Sequence, residues 1–223
     1  GNLVAYPGQS FKGTFDGNGH IISNLTINDN TPNYAVAALF GSIEEGSIVN
    51  LTVKDVNITS THFAAGIVAY TSNTPSIINC HVVGGTITST PELVSGSYDN
   101  GDKAGGIMGY CTAGTTIKDC TVEGVTITAY RDLAGICGYA GGSVADCTVK
   151  DVTVVQDNTN AYKDTDQAST AAEVVGGRSA NAAATNAANT TENVTVKSVD
   201  PVAGVAKIGS TEYETLQAAI DAA

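Results

Sequence analysis

A four-residue pattern recurs six times along the chain and constrains its fold more than any other feature. It consists of Asn or Asp, a mid-sized apolar residue, a polar residue and a β-branched one. The copies are Asn24-Leu25-Thr26-Ile27, Asn50-Leu51-Thr52-Val53, Asn79-Cys80-His81-Val82, Asp119-Cys120-Thr121-Val122, Asp146-Cys147-Thr148-Val149 and Asn193-Val194-Thr195-Val196. Ile22, Ile48, Ile77, Ile117, Val144 or Thr191 stands two positions before each. Successive copies lie 26, 29, 40, 27 and 47 residues apart, which sets a unit of 26 to 29 residues that in places carries a loop. Self-similarity at such a period marks a repeat architecture.

Each unit holds two further strand-like pieces. Before the tetrapeptide comes a glycine-flanked apolar run, as in Gly66-Ile67-Val68-Ala69, Gly106-Ile107-Met108-Gly109 and Gly135-Ile136-Cys137-Gly138. After it comes an alternating run, as in Val56-Asn57-Ile58-Thr59 and Val125-Thr126-Ile127-Thr128. Alternation places one face of a strand in a core and the other in solvent. Three short strands cannot close a core, but stacked units can when each strand pairs in parallel with its equivalent in the next. The sequence therefore predicts an all-β, right-handed parallel β-helix with three strands per rung. Six rungs at about 4.8 Å give a rod of about 29 Å. Residues 1–200 are assigned to this domain and 201–223 to a short C-terminal strand and helix.

The composition fits narrow stacked columns: 42% of residues are hydrophobic, yet there are four Phe and no Trp. A net charge of −12 excludes nucleic acid, whose phosphates demand clustered Lys and Arg. No run of about 18 apolar residues exists to span a bilayer. The chain opens on Gly1 with no basic-then-apolar leader and reads as a monomeric segment of a larger protein.

Asn24, Asn50, Asn79, Asp119, Asp146 and Asn193 are expected to stack in one corner column, because Asn and Asp tolerate left-handed backbone angles and bond nearby main chain. The next position would point inward, placing Cys80, Cys120 and Cys147 where Leu25, Leu51 and Val194 stand in other units. In-register parallel side chains suit disulfide geometry poorly, so this column is expected to hold free thiols acting as small hydrophobes. Cys137, in the place of Met108, reads as core as well.

The tetrapeptide, the Gly-Ile-x-Gly run and the opening Phe11-Lys-Gly-Thr-Phe-Asp-Gly-Asn-Gly-His-Ile-Ile-Ser-Asn-Leu25 resemble the GLUG-motif β-helical repeats. The likeness covers residues 11 to 155 well and the unit ending at Val196 loosely. Ala38 and Ala69 stand where the motif has glycine, and Ile usually replaces Leu. The resemblance implies a bacterial secreted or surface-anchored, adhesin-like protein, with host or dietary glycans or host surface proteins as partners. It brings no shared catalytic residue and no cofactor.

Residues 205 to 223 break the repeat. Val205 to Gly209 reads as a strand, Thr211 and Glu214 form a capping-box signature, and Tyr213, Leu216, Ile220 and Ala223 share one helical face. The segment either caps the rod or opens a further module.

Three places suggest binding. Tyr70, Tyr110 and Tyr139 follow the glycine-flanked run at equivalent positions and would form a column along the rod. Such a column either offers rings on which sugars stack or packs upon itself over the glycines. Two inserted loops, Ser89 to Lys103 and Gln156 to Ala171, carry Tyr98 and Tyr162 beside acidic residues, a composition suited to calcium, to a sugar, or to solvated turns. Threonines of the alternating run (Thr86, Thr88, Thr126, Thr128, with Asn57, Thr59 and Thr153) make two polar columns, as an exposed strand favours. Enzymes with β-helices place carboxylates with Arg or Lys on an outer groove. Here only Arg131 and Arg178 occur, and His20, His62 and His81 fall in different columns. The chain is accordingly expected not to be an enzyme, and to serve as a structural spacer and adhesion surface. The alternative is a carbohydrate-binding or polysaccharide-degrading protein with its site in the inserted loops.

Overall fold

The computed structural model describes residues 9–31, 35–90, 103–158, 170–176, 186–200, 206–208, 211–213 and 220–221. The protein is all-β: stacked sheets of parallel strands coil around one interior, and among the described residues helix occurs at 220–221 alone.

Four sheets, rather than three faces, run along the stack. Sheet I holds Thr14–Asp16, Ser47–Val49, Ser76–Ile78, Thr116–Lys118, Ser143–Ala145 and Asn186–Ala187. Sheet II is the longest-stranded and centres on Thr52–Ser60, His81–Ser89 and Thr121–Ala129, with the equivalent strand broken in two at Ile21–Ser23/Thr26–Asp29, Thr148–Lys150/Thr153–Asp157 and Thr190–Glu192/Thr195–Val199. Sheet III holds Val36–Ala37, Phe63–Ala65, Lys103–Gly105, Asp132–Ala134 and Thr170–Ala172. Sheet IV holds Phe40–Ile43, Val68–Thr71, Met108–Cys111 and Cys137–Ala140. The count differs from the sequence reading because a sheet III strand precedes each glycine-flanked run, a sheet I strand ends just before Asn50, Asn79, Asp119 and Asp146, and the end of the tetrapeptide and the alternating run share sheet II. The chain turns sharply between sheets III and IV at Gly66, Gly106 and Gly135. A Cβ at Gly106 would lie 2.4 Å from the carbonyl oxygen of Gly135 and 2.5 Å from a Val122 methyl, so only glycine lets the corner press against the core.

The interior is aliphatic. Ile48, Ile77, Ile117 and Val144 stack in register in sheet I, and Ile58, Ile87, Ile127 and Val154 in sheet II. All eight are buried. Phe40, the large ring at one end, packs edge-on against Phe15 at 5.3 Å and tilted against Phe11 at 5.4 Å.

The six Asn/Asp corners occupy two columns, which corrects the single column expected. Every one has a left-handed backbone, with φ between 52° and 58°. Asn50, Asn79, Asp119 and Asp146 join sheet I to sheet II. Strand register puts Asn24 and Asn193 elsewhere. Ser23 pairs with Lys54 and Thr26 with Asn57, so Asn24 lies opposite Asp55. Glu192 pairs with Lys150 and Thr195 with Thr153, so Asn193 lies opposite Asp151. This second corner, in the middle of sheet II, also contains Gly84 and Gly124, at φ 74° and 67°. Both corners demand the same thing locally, a left-handed residue followed by an inward apolar one, and so produce the same tetrapeptide. Leu25 and Val194 move with their neighbours: they align with Val56 and Val152 and not with the cysteines.

The C-terminal reading also changes. Ala206–Ile208 and Thr211–Tyr213 pair antiparallel, so Thr211 starts a strand and not a helix.

Candidate functional site

Sheet III strands alternate between two environments. Ala37, Ala64, Ala104 and Leu133 belong to the interior core, whereas Val36, Ala38, Phe63, Ala65 and Ala69 form a separate apolar cluster against which Tyr70 and Tyr110 pack. This second cluster sits where sheets III and IV meet, and it is where the chain's chemistry concentrates.

Tyr70, Tyr110 and Tyr139 pair in register in sheet IV. Tyr110 and Tyr139 stack with centroids 4.9 Å apart and planes 9° from parallel; Tyr70 and Tyr110 stack at 5.5 Å and 16°. Phe63 adds a fourth near-parallel ring, 5.5 Å from Tyr110 and 5.9 Å from Tyr70. The rings thus spend their faces on one another along the rod, and the half-buried tyrosines offer edges and phenol groups rather than open faces. Burial, followed by the neighbouring Tyr139 and Tyr70, pushes the Tyr110 phenol upward.

Beside the rings, Phe63, Lys103 and Asp132 occupy one position of three successive sheet III strands. Lys103 and Asp132 are buried, as is Arg131. Lys103 Nζ lies 3.8 Å from Asp132 Oδ2 and 5.4, 5.7 and 5.8 Å from the ring centroids of Phe63, Tyr110 and Tyr139. His62 leans on Phe63, with centroids 3.9 Å apart. Burial first, and the Lys103 charge second, lower its pKa from 6.5 to about 4. The sequence reading set the three histidines in different columns, noted Arg131 only as one of two arginines, and gave no role to Phe63, Lys103 or Asp132. A signal existed: each stands three residues before a turn glycine (Gly66, Gly106, Gly135), and opposite charges succeed one another there.

The remaining candidates lie elsewhere. In the first corner column Asn50 Nδ2 donates to Asp16 Oδ1, and the Asp119 and Asp146 carboxylates flank Lys118 Nζ at 3.3 and 3.6 Å on an exposed edge. In the second, Asn193 Nδ2 donates to Asp151 Oδ1 at 2.6 Å. Asn24 donates its backbone N–H to Lys54. Cys80, Cys120 and Cys147 are buried free thiols, as are Cys111 and Cys137. The hydrogen-bonded thiols of Cys147 and Cys80, with burial, push Cys120 well up, and burial does the same to Cys137. Tyr98 and Tyr162, with their acidic neighbours, lie outside the described residues. Among the described residues no group of three or more His, Cys, Asp or Glu could hold a metal ion, and no helix is long and apolar enough to cross a membrane.

No family model matches the chain, and no curated protein matches it. Among solved structures it is similar to the crystal structure of "a putative immunoglobulin A1 protease from Bacteroides ovatus", at 18% identity and a TM-score of 0.49, over 82% of this chain and 59% of the other. The chain therefore spans about three fifths of that protein's length. The expectation that the chain is not an enzyme is withdrawn: the solved structure found is described as a protease, and a likeness at this level assigns this chain neither an activity nor the lack of one. A sequence without a recognisable catalytic constellation is no ground for excluding activity, and what the other protein does stays with that protein.

Proposed function

We propose that the chain is a segment of a secreted or surface-anchored bacterial protein built from GLUG-like repeats, and that its tyrosine row contacts extracellular glycans. The six strands of sheet I support about six turns. Parallel crossover connections favour a right-handed winding. The observation that carries the binding reading is the register of Tyr70, Tyr110 and Tyr139, which lines up three phenol groups on a rigid sheet. Faces stacked on one another are closed to sugars, so the contact is made by ring edges and by hydroxyls that donate and accept. Rigid placement lowers the ordering cost of binding a repeating polymer. Such binding neither requires nor excludes catalysis elsewhere on the chain.

A glycan array followed by calorimetry on the hits tests the proposal. Tyr110→Phe keeps the ring stack and removes one hydroxyl, so it should weaken binding several-fold while leaving the unfolding midpoint nearly unchanged. An array with no hits, or hits whose affinity is indifferent to both Tyr110→Phe and Tyr110→Ala, would sink it.

A further inference from the structure

In sheet IV the strands Val68–Thr71, Met108–Cys111 and Cys137–Ala140 each leave one residue half-buried and bury the other three; that residue is Tyr70, Tyr110 or Tyr139. The three pair in register, so the accessible part of the sheet is a line one residue wide, running from turn to turn along the rod. The line has a definite end. Ser42 takes the same register position on Phe40–Ile43, but it is buried and its hydroxyl is bonded to that of Ser10 at 2.8 Å. Ring centroids are 5.5 Å apart from Tyr70 to Tyr110 and 4.9 Å from Tyr110 to Tyr139. These steps are close to the roughly 4.7–4.9 Å between neighbouring strands.

Resting on the reading that the tyrosine row contacts glycans, we infer that its ligand is a neutral β-1,4-linked polysaccharide lying along the rod, with consecutive sugars on Tyr70, Tyr110 and Tyr139. Because the ring faces are closed against one another, each turn offers a ring edge and one phenol that donates and accepts. A ligand that engages all three must present a hydroxyl at every such step of a straight line. Pyranoses joined through equatorial bonds at C1 and C4 do so. They form an extended ribbon that advances by about one tyrosine spacing per sugar, with hydroxyls along both edges. An axial 1,4 linkage coils the chain off the line, and a 1,6 linkage adds a rotatable bond per sugar whose ordering costs affinity. Charge narrows the class further. The net charge of −12 repels a polyanion. Lys103, beside the row, is 5% exposed and engaged by Asp132 and three rings, so it does not reach a uronate or sulfate there.

Calorimetry with purified oligosaccharides tests this, setting the β-1,4-linked hexasaccharides of glucose, mannose, xylose and N-acetylglucosamine against the α-1,4-linked hexasaccharide of glucose. At least one β-1,4 chain should bind several-fold more tightly than the α-1,4 chain. In that β-1,4 series, affinity should climb from disaccharide to trisaccharide and then change little, because the row holds three phenols. Tyr139→Phe keeps the ring and removes the end phenol, so the trisaccharide should lose its advantage over the disaccharide. The inference is overturned if no β-1,4 chain binds, if the α-1,4 chain binds as tightly as all of them, or if affinity ignores chain length. A trisaccharide advantage that survives Tyr139→Phe would overturn it as well. Glycan-array hits of other linkage or of negative charge that weaken in Tyr110→Phe would overturn it and yet leave the row as a glycan contact. An array without hits would end both.

Discussion

The side-chain amide of Asn79 donates to Oδ1 of Asn50, one turn away, at 2.8 Å. Asn50 in turn donates to Asp16 at 3.0 Å, so a ladder of side chains runs along an exposed corner. Both asparagines hold φ near +50°, at 52° and 55°. An L-residue without a helpful side chain costs about 1–2 kcal/mol in that region. Asn79→Ala should therefore destabilise the protein by about 1–2 kcal/mol in urea unfolding, and Asn79→Gly by less. Equal losses would show that the ladder bond, and not the backbone, sets the requirement.

Two glycines separate crowding from backbone strain. At Gly106 the added methyl meets a carbonyl oxygen at 2.4 Å and a valine methyl at 2.5 Å. At Gly124 the backbone is left-handed, but the nearest atoms are 3.9 Å away. Gly106→Ala should cost about 3 kcal/mol or more, because backbone on one side and packed core on the other cannot yield. Gly124→Ala should cost about 1 kcal/mol. Denaturant midpoints in the reverse order would refute the steric account of the corner between sheets III and IV.

His62 makes stability depend on pH in a defined window. Its pKa is 6.5 ordinarily and about 4 in the fold. Between those values the unfolded chain binds a proton that the folded chain does not, so stability rises with pH and is lost as pH falls from 6.5 toward 4. The loss is bounded by about 3 kcal/mol. His62→Gln should flatten the wild-type slope across this window, as read by urea midpoints at several pH values. A slope unchanged by the substitution would place its origin elsewhere.

The thiols are inaccessible in the fold. All five cysteines are free and buried. A chromogenic disulfide reagent should react slowly or not at all with the native protein and titrate five thiols once it is unfolded. Cys120 should be among the last to react, because its thiol is held well above its ordinary range. Fewer than five thiols in the unfolded, unreduced protein would reveal a disulfide.

Much of the fold was legible because its causes are local. Alternation in Thr52–Ser60 and Thr121–Ala129 marks half-buried strands, and Asn50, Asn79, Asp119 and Asp146 mark left-handed corners. The site was less legible. Tyr70, Tyr110 and Tyr139 could be aligned from their spacing to the turn glycines, but spacing does not say whether rings face solvent or each other. Lys103 and Asp132 meant little separately, since a charged residue in a strand is ordinarily solvated. Only stacking of their turns brings the two charges together among rings.

By itself the sequence determined the repeat period, the parallel all-β stack, the aliphatic interior and the need for left-handed corners. Each follows from what a residue and its near neighbours permit. The tertiary structure decided register. It assigned Asn24 and Asn193 to the second corner, because two corners with the same local demand carry the same tetrapeptide and pairing alone distinguishes them. It also placed a separate strand, that of sheet III, immediately before each glycine-flanked run, and set the turn at Gly106 so close to Gly135 and Val122 that no side chain fits there. The meeting of Lys103, Asp132 and the tyrosines has the same origin, a side-chain environment assembled from several turns and encoded in no single one.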